Sequence, residues 1–182
     1  VVQVDRAADI IKVVTAFGSY PALRLVLASA TEAWKVAPLL KAGNIPVLIN
    51  VMENLPQNFD RLGARLDQAT LLAEAGVRFA FFSGSPYSET RSLSQAAGIA
   101  VAQGLSWQQA ITAITAAPAE IWGLKGLGRI EVGAIADLVI WNGDPLEVTS
   151  APVAVLIDGA RVDLETRQDA LAKRYVELLN LK

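Results

Sequence analysis

Short apolar runs alternate with stretches of helical periodicity over the first hundred positions. The runs at 1–4, 23–27, 46–50 and 77–82 are nearly all apolar and do not alternate with polar residues. That is the pattern of parallel strands covered on both faces. Between the first two, Ala8, Ile11 and Val14 or Thr15 recur at helical spacing, with Asp5 placed to cap that helix. A second helix is expected over about 31–41, with Thr31 as its cap and Gly43 as its stop, and a third over 59–75, ending at Gly76. From 91 to 122 the periodicity is helical throughout, with breaks expected at Gly104 and Pro118. After Gly123 the chain turns glycine-rich and then alternates. It predicts strands at 137–141 and 153–157, a turn at Asn142-Gly143-Asp144-Pro145 and a hairpin at Asp158-Gly159 leading into 160–162. A closing helix over 166–179 carries Leu171, Tyr175 and Leu178 on one face.

Four βα units in succession specify an α/β fold, either an open doubly wound sheet or part of a (β/α)8 barrel. The chain has 182 residues, whereas a full barrel needs about 250, so with an appended β module it accommodates half of one. The opening VVQVDRAADI runs from strand straight into helix, which leads us to expect that residue 1 is a fragment boundary. With 16 basic and 18 acidic residues spread along the chain, no Lys/Arg stripe of the kind that binds nucleic acid is present. No apolar run approaches the ~20 residues that cross a bilayer. These features predict no nucleic-acid partner and no membrane partner, in a soluble protein of the cytoplasm or periplasm. Histidine and cysteine are both absent, so chemistry by this chain would fall to carboxylates, Lys, Arg, Tyr, hydroxyls or backbone groups.

The stretch GLSWQQAITAITAAPAEIWGLKGLGRIEVGAIADLVIWNGDPLEV resembles the C-terminal part of the amidohydrolase superfamily, nearest its imidazolonepropionase-like members. The likeness is carried by Ala110, Thr115, Pro118-Ala119-Glu120, Gly123, Gly128, Gly133, Ala136-Asp137-Leu138, Trp141, Gly143-Asp144-Pro145-Leu146 and Ile157-Asp158-Gly159. It extends upstream through Ala75-Gly76-Val77 and Arg91-Ser92-Leu93, and more weakly before residue 70 through Arg6 to Ile10 and Leu25-Val26-Leu27 with Thr31-Glu32-Ala33. The resemblance implies a fold and a division of the chain. Residues 1–122 would be strands five to eight of a metal-dependent-hydrolase-type (β/α)8 barrel, 123–165 part of a small C-terminal β-sandwich, and 166–182 a terminal helix. It also implies a hydrolase acting on non-peptide, cyclic C–N bonds, with a divalent metal such as zinc at the barrel mouth. In such a site the metal lowers the pKa of its bound water toward ~7.

The same resemblance places the metal ligands of this half, His on strand five, His on strand six and Asp on strand eight, at Gln3, Ser29 and Gly84 or Ser85. None of these is a ligand of the expected kind, which implies a metal-free, catalytically degenerate member or fragment with no cofactor of its own. Two carboxylates near strand ends, Asp5 and Glu32, are the remaining catalytic candidates. They could bind Mg²⁺ or Mn²⁺ or act as an acid/base pair, or simply cap the next helix and lie in a helix's first turn. Ser83, Gly84 and Ser85 form a possible anion-binding loop. Trp34 and Trp107 read as packing anchors. Two alternatives stay open: an active hydrolase whose metal site comes mainly from an N-terminal half outside this chain, and a non-enzymatic α/β binding module. A half barrel has open sheet edges, so the expected partners are the missing N-terminal half of the barrel or a second copy of the chain, with a small-molecule substrate if the protein is active.

Overall fold

The four apolar runs each give one short strand, and the strands lie side by side in chain order. The computed structural model describes residues 1–83 and 92–180. Strands β1 (Val2–Val4), β2 (Leu27–Ser29), β3 (Val47–Ile49) and β4 (Phe79–Phe81) form a parallel sheet ordered β1-β2-β3-β4. Gln3, Ala28, Leu48 and Ala80 stand in one register row across it. Because side chains alternate across a strand, that row faces one side, while Leu27, Val47, Ile49, Phe79 and Phe81 join the main core with the helices. On that side lie α1 (Ala7–Phe17), α2 (Ala37–Ala42) and α3 (Gln68–Glu74). Ile10, Leu40 and Leu72 bury completely against the strands.

Three further helices follow: α4 (Leu93–Ala102), α5 (Trp107–Ile114) and α6 (Ala116–Trp122). A capping box starts α5, in which the Ser106 hydroxyl accepts from the Gln109 N–H and the Gln109 side chain accepts from the Ser106 N–H. The helical run breaks at Thr115, not at Pro118 as the pattern predicts. Thr115 leaves helical geometry at φ −126° and ψ −83°. Pro118 falls in the first turn of α6, where an N–H has no carbonyl to meet. Ala117 and Ile121 of α6 cover the other face of the sheet at Val26, Leu48 and Ala80, leaving Gln3 exposed at the β1 edge.

Two expected helices are shorter than their periodicity suggests. The second opens as a 3-10 turn (Ala33–Val36) before α2, whose first turn carries Pro38. The third is a 3-10 turn (Phe59–Arg61) and then, after an irregular segment, α3. Asn50 and Asn58 each accept a hydrogen bond from the N–H two residues on, at 3.1 and 3.0 Å, which starts a local turn in place of a long helix.

Beyond α6, β5 (Leu138–Trp141), β6 (Pro152–Ile157) and β7 (Ala160–Arg161) form an antiparallel sheet. Asp158 and Gly159 both take positive φ, 50° and 77°, as the tight hairpin between β6 and β7 requires. Asp137 accepts the Asp158 N–H at 2.7 Å, pinning this turn to the start of β5. The chain closes with α7 (Arg167–Asn180), on which Leu171, Tyr175, Val176 and Leu179 are exposed. No described helix is long and apolar enough to cross a membrane.

The two sheet regions meet where α4 runs past Leu146. A Cβ on Gly98 would overlap the Leu146 carbonyl oxygen, so the helix needs glycine to come this close. Gly98→Ala is expected to destabilise the protein by about 1–3 kcal/mol through forced separation of backbone from helix. Urea unfolding reads this as a lower midpoint, and an unchanged midpoint would show that the 142–151 segment yields freely.

Candidate functional site at the strand C-terminal ends

In parallel α/β folds chemistry gathers where strands end and loops converge. At the end of β1, Asp5 turns its carboxylate toward the end of β2. Its Oδ1 accepts from the Ser29 hydroxyl at 2.5 Å, the Thr31 hydroxyl at 2.6 Å and the Thr31 N–H at 3.3 Å. Its Oδ2 accepts from Arg61 Nε at 3.4 Å. Arg61 comes from the 3-10 turn after β3. It also donates through Nη1 to Glu53 Oε2 at 2.6 Å and through Nη2 to Ser29 Oγ at 3.3 Å. The Arg61 and Asp5 side chains are only 14% and 15% exposed, so this ion pair is shielded from the screening that weakens surface pairs.

Burial pushes the Asp5 carboxyl toward the protonated form. The hydrogen bonds from Ser29 and Thr31 and the charge of Arg61 outweigh it and hold the pKa below the ordinary value of 3.8. Hydrogen bonding to Glu53, together with the charge of Asp5, raises the already high pKa of Arg61 against the opposing effect of burial. A carboxylate held low is a weak base, and with its lone pairs committed to four donors it has little left for a substrate or a metal ion.

Glu32 follows the same logic at the neighbouring position. Its Oε2 accepts the Ala7 N–H at 2.9 Å, and Lys35 donates to Oε1 at 2.5 Å. Burial raises its pKa, and these two contacts more than offset it. The cap of α1 therefore comes from Glu32, across the strand boundary, and not from Asp5. The residue at the N-cap position, Arg6, makes no side-chain capping bond. Thr31 does not cap a helix either: the N-cap of the 3-10 turn that follows is Glu32, one residue on, and that of α2 is Val36. The backbone joins the two carboxylate residues as well, through the Glu32 N–H to the Asp5 carbonyl at 2.9 Å.

Between them the chain makes a strained turn. Ser29 and Ala30 have φ of 66° and 45°, a region non-glycine residues avoid at a cost of about 1–3 kcal/mol each. Gln68 of α3, fully buried, donates from Nε2 to the Ala30 carbonyl at 2.8 Å and holds the turn from beneath. Arg61, Glu53 and Gln68 are invisible to periodicity. Arg61 falls in a segment that reads as the body of a long helix, and only the paired Asn turn signals at 50 and 58 indicate the loop that delivers it.

The other positions expected to matter are dispersed. Gln3 is exposed at the sheet edge, one register row below Ser29. Ser83 is half-buried after β4, while Gly84 and Ser85 lie outside the described residues, so the proposed anion loop is represented by Ser83 alone. Trp34 donates its indole N–H to the Gly63 carbonyl at 3.0 Å, with the Arg65 and Lys35 cations 5.0 and 5.4 Å from its ring. It anchors the loop bearing Arg61. Trp107 donates to both Asp144 oxygens at 3.0 Å and ties α5 to the turn before Leu146. A cavity of about 530 Å³ lies at the opposite end of the sheet, lined among others by Tyr20, Arg24, Asn44, Arg78 and Glu120.

A sequence model described as the amidohydrolase family matches residues 67–163, more than half of the chain. The chain belongs to the amidohydrolase family. The amidohydrolase tasK of Hapsidospora irregularis is 30% identical over 118 residues, covering 64% of this chain and 12% of that protein. The crystal structure of an amidohydrolase from Thermotoga maritima superposes with a TM-score of 0.82 at 28% identity, over 88% of this chain and 42% of that one. A β-aspartyl dipeptidase from Fervidobacterium islandicum shares the fold at 13% identity and a TM-score of 0.58, over 90% of this chain and 49% of that one. The chain thus spans less than half the length of these relatives.

The divalent metal implied for such a fold can be tested against the amidohydrolase residues seen here. Among the described residues no group of three or more Asp, Glu, His or Cys side chains is placed to hold a metal ion. Gln3 and Ser29 offer only neutral oxygens, and the Ser29 hydroxyl is taken up by Asp5 and Arg61. The nearby carboxylates already face a guanidinium. The described residues at this end do not fit a metal ion.

A depressed carboxylate pKa contributes stability above its unfolded value and loses it as pH falls through the folded one. Asp5→Asn should therefore cost about 1–3 kcal/mol at pH 7, with the gap from wild type narrowing as pH drops below about 4. Urea unfolding at pH 7 and pH 3 measures both, and a gap independent of pH would show that the carboxylate is not held low.

Proposed function

We propose that this chain is the second half of an amidohydrolase barrel whose share of the metal centre has been replaced by a hydrogen-bonded ion pair. On this reading the barrel portion is metal-free and catalytically degenerate, and serves as scaffold or binding surface. The observation that carries it is the commitment of Asp5 to Ser29, Thr31 and Arg61, beside a Gln and a Ser where the family resemblance calls for imidazoles. The finer assignment, to imidazolonepropionase-like proteins acting on cyclic C–N bonds, rests on the 104–159 resemblance alone.

The same reading makes the four-stranded sheet part of a closed (β/α)8 barrel and β5–β7 part of a sandwich. Two features support it. β1 and β4 are sheet edges among the described residues, and the small sheet exposes Val139, Ile140, Val153 and Ile157. Both need cover, and the remainder of the same protein or a second copy would supply it.

A second reading is favoured by coverage. More than half of the Thermotoga relative lies outside the match, so an active centre could reside wholly in the rest of the protein, with this chain shaping the mouth. The full-length gene product decides between them. The degenerate reading expects less than about 0.1 tightly bound metal ion per chain and no metal-dependent hydrolysis of cyclic imides, imidazolones or amides. Stoichiometric metal together with chelator-sensitive hydrolysis would replace it with the second reading.

A further inference from the structure

The cluster at the strand ends is not short of a cation. Arg61 reaches it from the 3-10 turn Phe59–Arg61, and each of its three nitrogens meets an oxygen from a different part of the chain. Nε faces Asp5 beyond β1, Nη1 faces Glu53 of the 3-10 turn Val51–Glu53, and Nη2 faces Ser29 at the end of β2. Two carboxylates and a hydroxyl converging on one point are the oxygen donors that a hard cation prefers. Here that point is filled by a delocalised guanidinium that cannot be deprotonated and whose planar fork matches such oxygens.

We propose that Arg61 is the resident cation of this end of the sheet and that it shuts divalent ions out of the Asp5–Glu53–Ser29 cluster. The proposal deepens the metal-free reading and rests on it, but it concerns this cluster only. The alternative, in which Arg61 is a bystander and the cluster has no cation affinity, makes a different prediction. Coulomb balance is the physical core. With Arg61 present, two carboxylates and one guanidinium leave a single negative charge, and any added dication would sit within a few ångströms of a fixed positive charge. With Arg61 neutralised, the two carboxylates face each other uncompensated, and a hard divalent ion becomes the cheapest remedy. The arrangement is held from behind. Trp34 anchors Gly63, two residues beyond Arg61, and Asn58 starts the turn that carries it, so removing the guanidinium leaves the loop's attachments in place.

The test is the difference in bound Mn²⁺ between variants of the full-length gene product, equilibrated with Mn²⁺ and measured by elemental analysis, with thermal melting to confirm folding. Arg61→Gln is expected to bind up to one more Mn²⁺ per chain than wild type, and Arg61→Lys, which keeps the charge, no more than wild type. Glu53→Gln in the wild-type background is expected to leave bound Mn²⁺ unchanged, since Glu53 holds no metal there. A folded Arg61→Gln protein with no gain would overturn the proposal. So would wild-type metal that is lost on Glu53→Gln, a measurement that decides the matter even if Arg61→Gln does not fold. Metal present in wild type and retained on Glu53→Gln lies elsewhere in the protein. That result would overturn the metal-free reading of the whole, while a gain on Arg61→Gln over that level would uphold the proposal for this cluster and no gain would overturn it.

Discussion

One half-buried carboxylate organises the C-terminal end of the sheet. Asp5 must be ionised to accept from Ser29, Thr31 and Arg61 together, and an ionised carboxylate with little exposure is tolerable only when fully paired. Every neighbouring feature follows from meeting that demand. Thr31 supplies two donors, its hydroxyl and its N–H. The loop after β3 folds back to deliver Arg61. The β2 chain bends through two residues at positive φ so that the Ser29 hydroxyl reaches Oδ1. Strain of this sort survives only where the surroundings fix it from several sides, and Gln68 beneath the Ala30 carbonyl supplies the remaining side.

Glu32 shows how the same end is tied to the helix layer. Its carboxylate crosses from the β2 side to the first free N–H of α1, meeting a helix terminus that Arg6 leaves uncapped. The partial positive charge of the helix end and the ammonium of Lys35 both favour the ionised form. The two strands are therefore joined above the sheet twice, once through Asp5 and once through Glu32. Neither carboxylate is free to trade protons with a bound molecule without loosening a joint.

Much of the architecture was legible because it depends on patterns that a chain cannot hide. Four apolar runs, each bounded by turn residues, identified four parallel strands, and Asp158-Gly159 identified its hairpin. Helix lengths were less legible where a polar side chain competed with the backbone. Asn58 turned the start of an expected long helix into a short turn, and Thr115 took the break assigned to Pro118. The candidate site was legible by half. Asp5 and Glu32 stood out as carboxylates near strand ends, and Ser29 through the family resemblance as a substituted ligand position, but the roles first given to Asp5 and Thr31 assumed local partners. Their actual partners lie 24 to 56 residues away, and Arg61 could not be assigned to the site without knowing how the loop returns. Pattern reports which face a residue takes, whereas pairing depends on where distant segments meet.

The contrast between the two ends of the sheet bears on what such a fold can become. At the C-terminal ends the carboxylates of Asp5 and Glu32 are paired with donors, while Asn50 Nδ2, Asn54 Nδ2 and Gln68 Oε1 are buried without a partner among the described residues. At the opposite end Arg24 and Arg78 line an open cavity, where Arg78 donates to the neutral Asn44 at 2.9 Å. A site that does chemistry must leave groups unsatisfied until a substrate arrives, since preorganised but unpaired dipoles are what stabilise developing charge. By that criterion the two carboxylates at the strand ends, Asp5 and Glu32, are committed to structure. On the proposed metal-free reading, the absence of imidazole from this half is one part of a coordinated change, because a sheet end without a metal needs another cation for its carboxylates, and a guanidinium carried on a well-anchored loop supplies one.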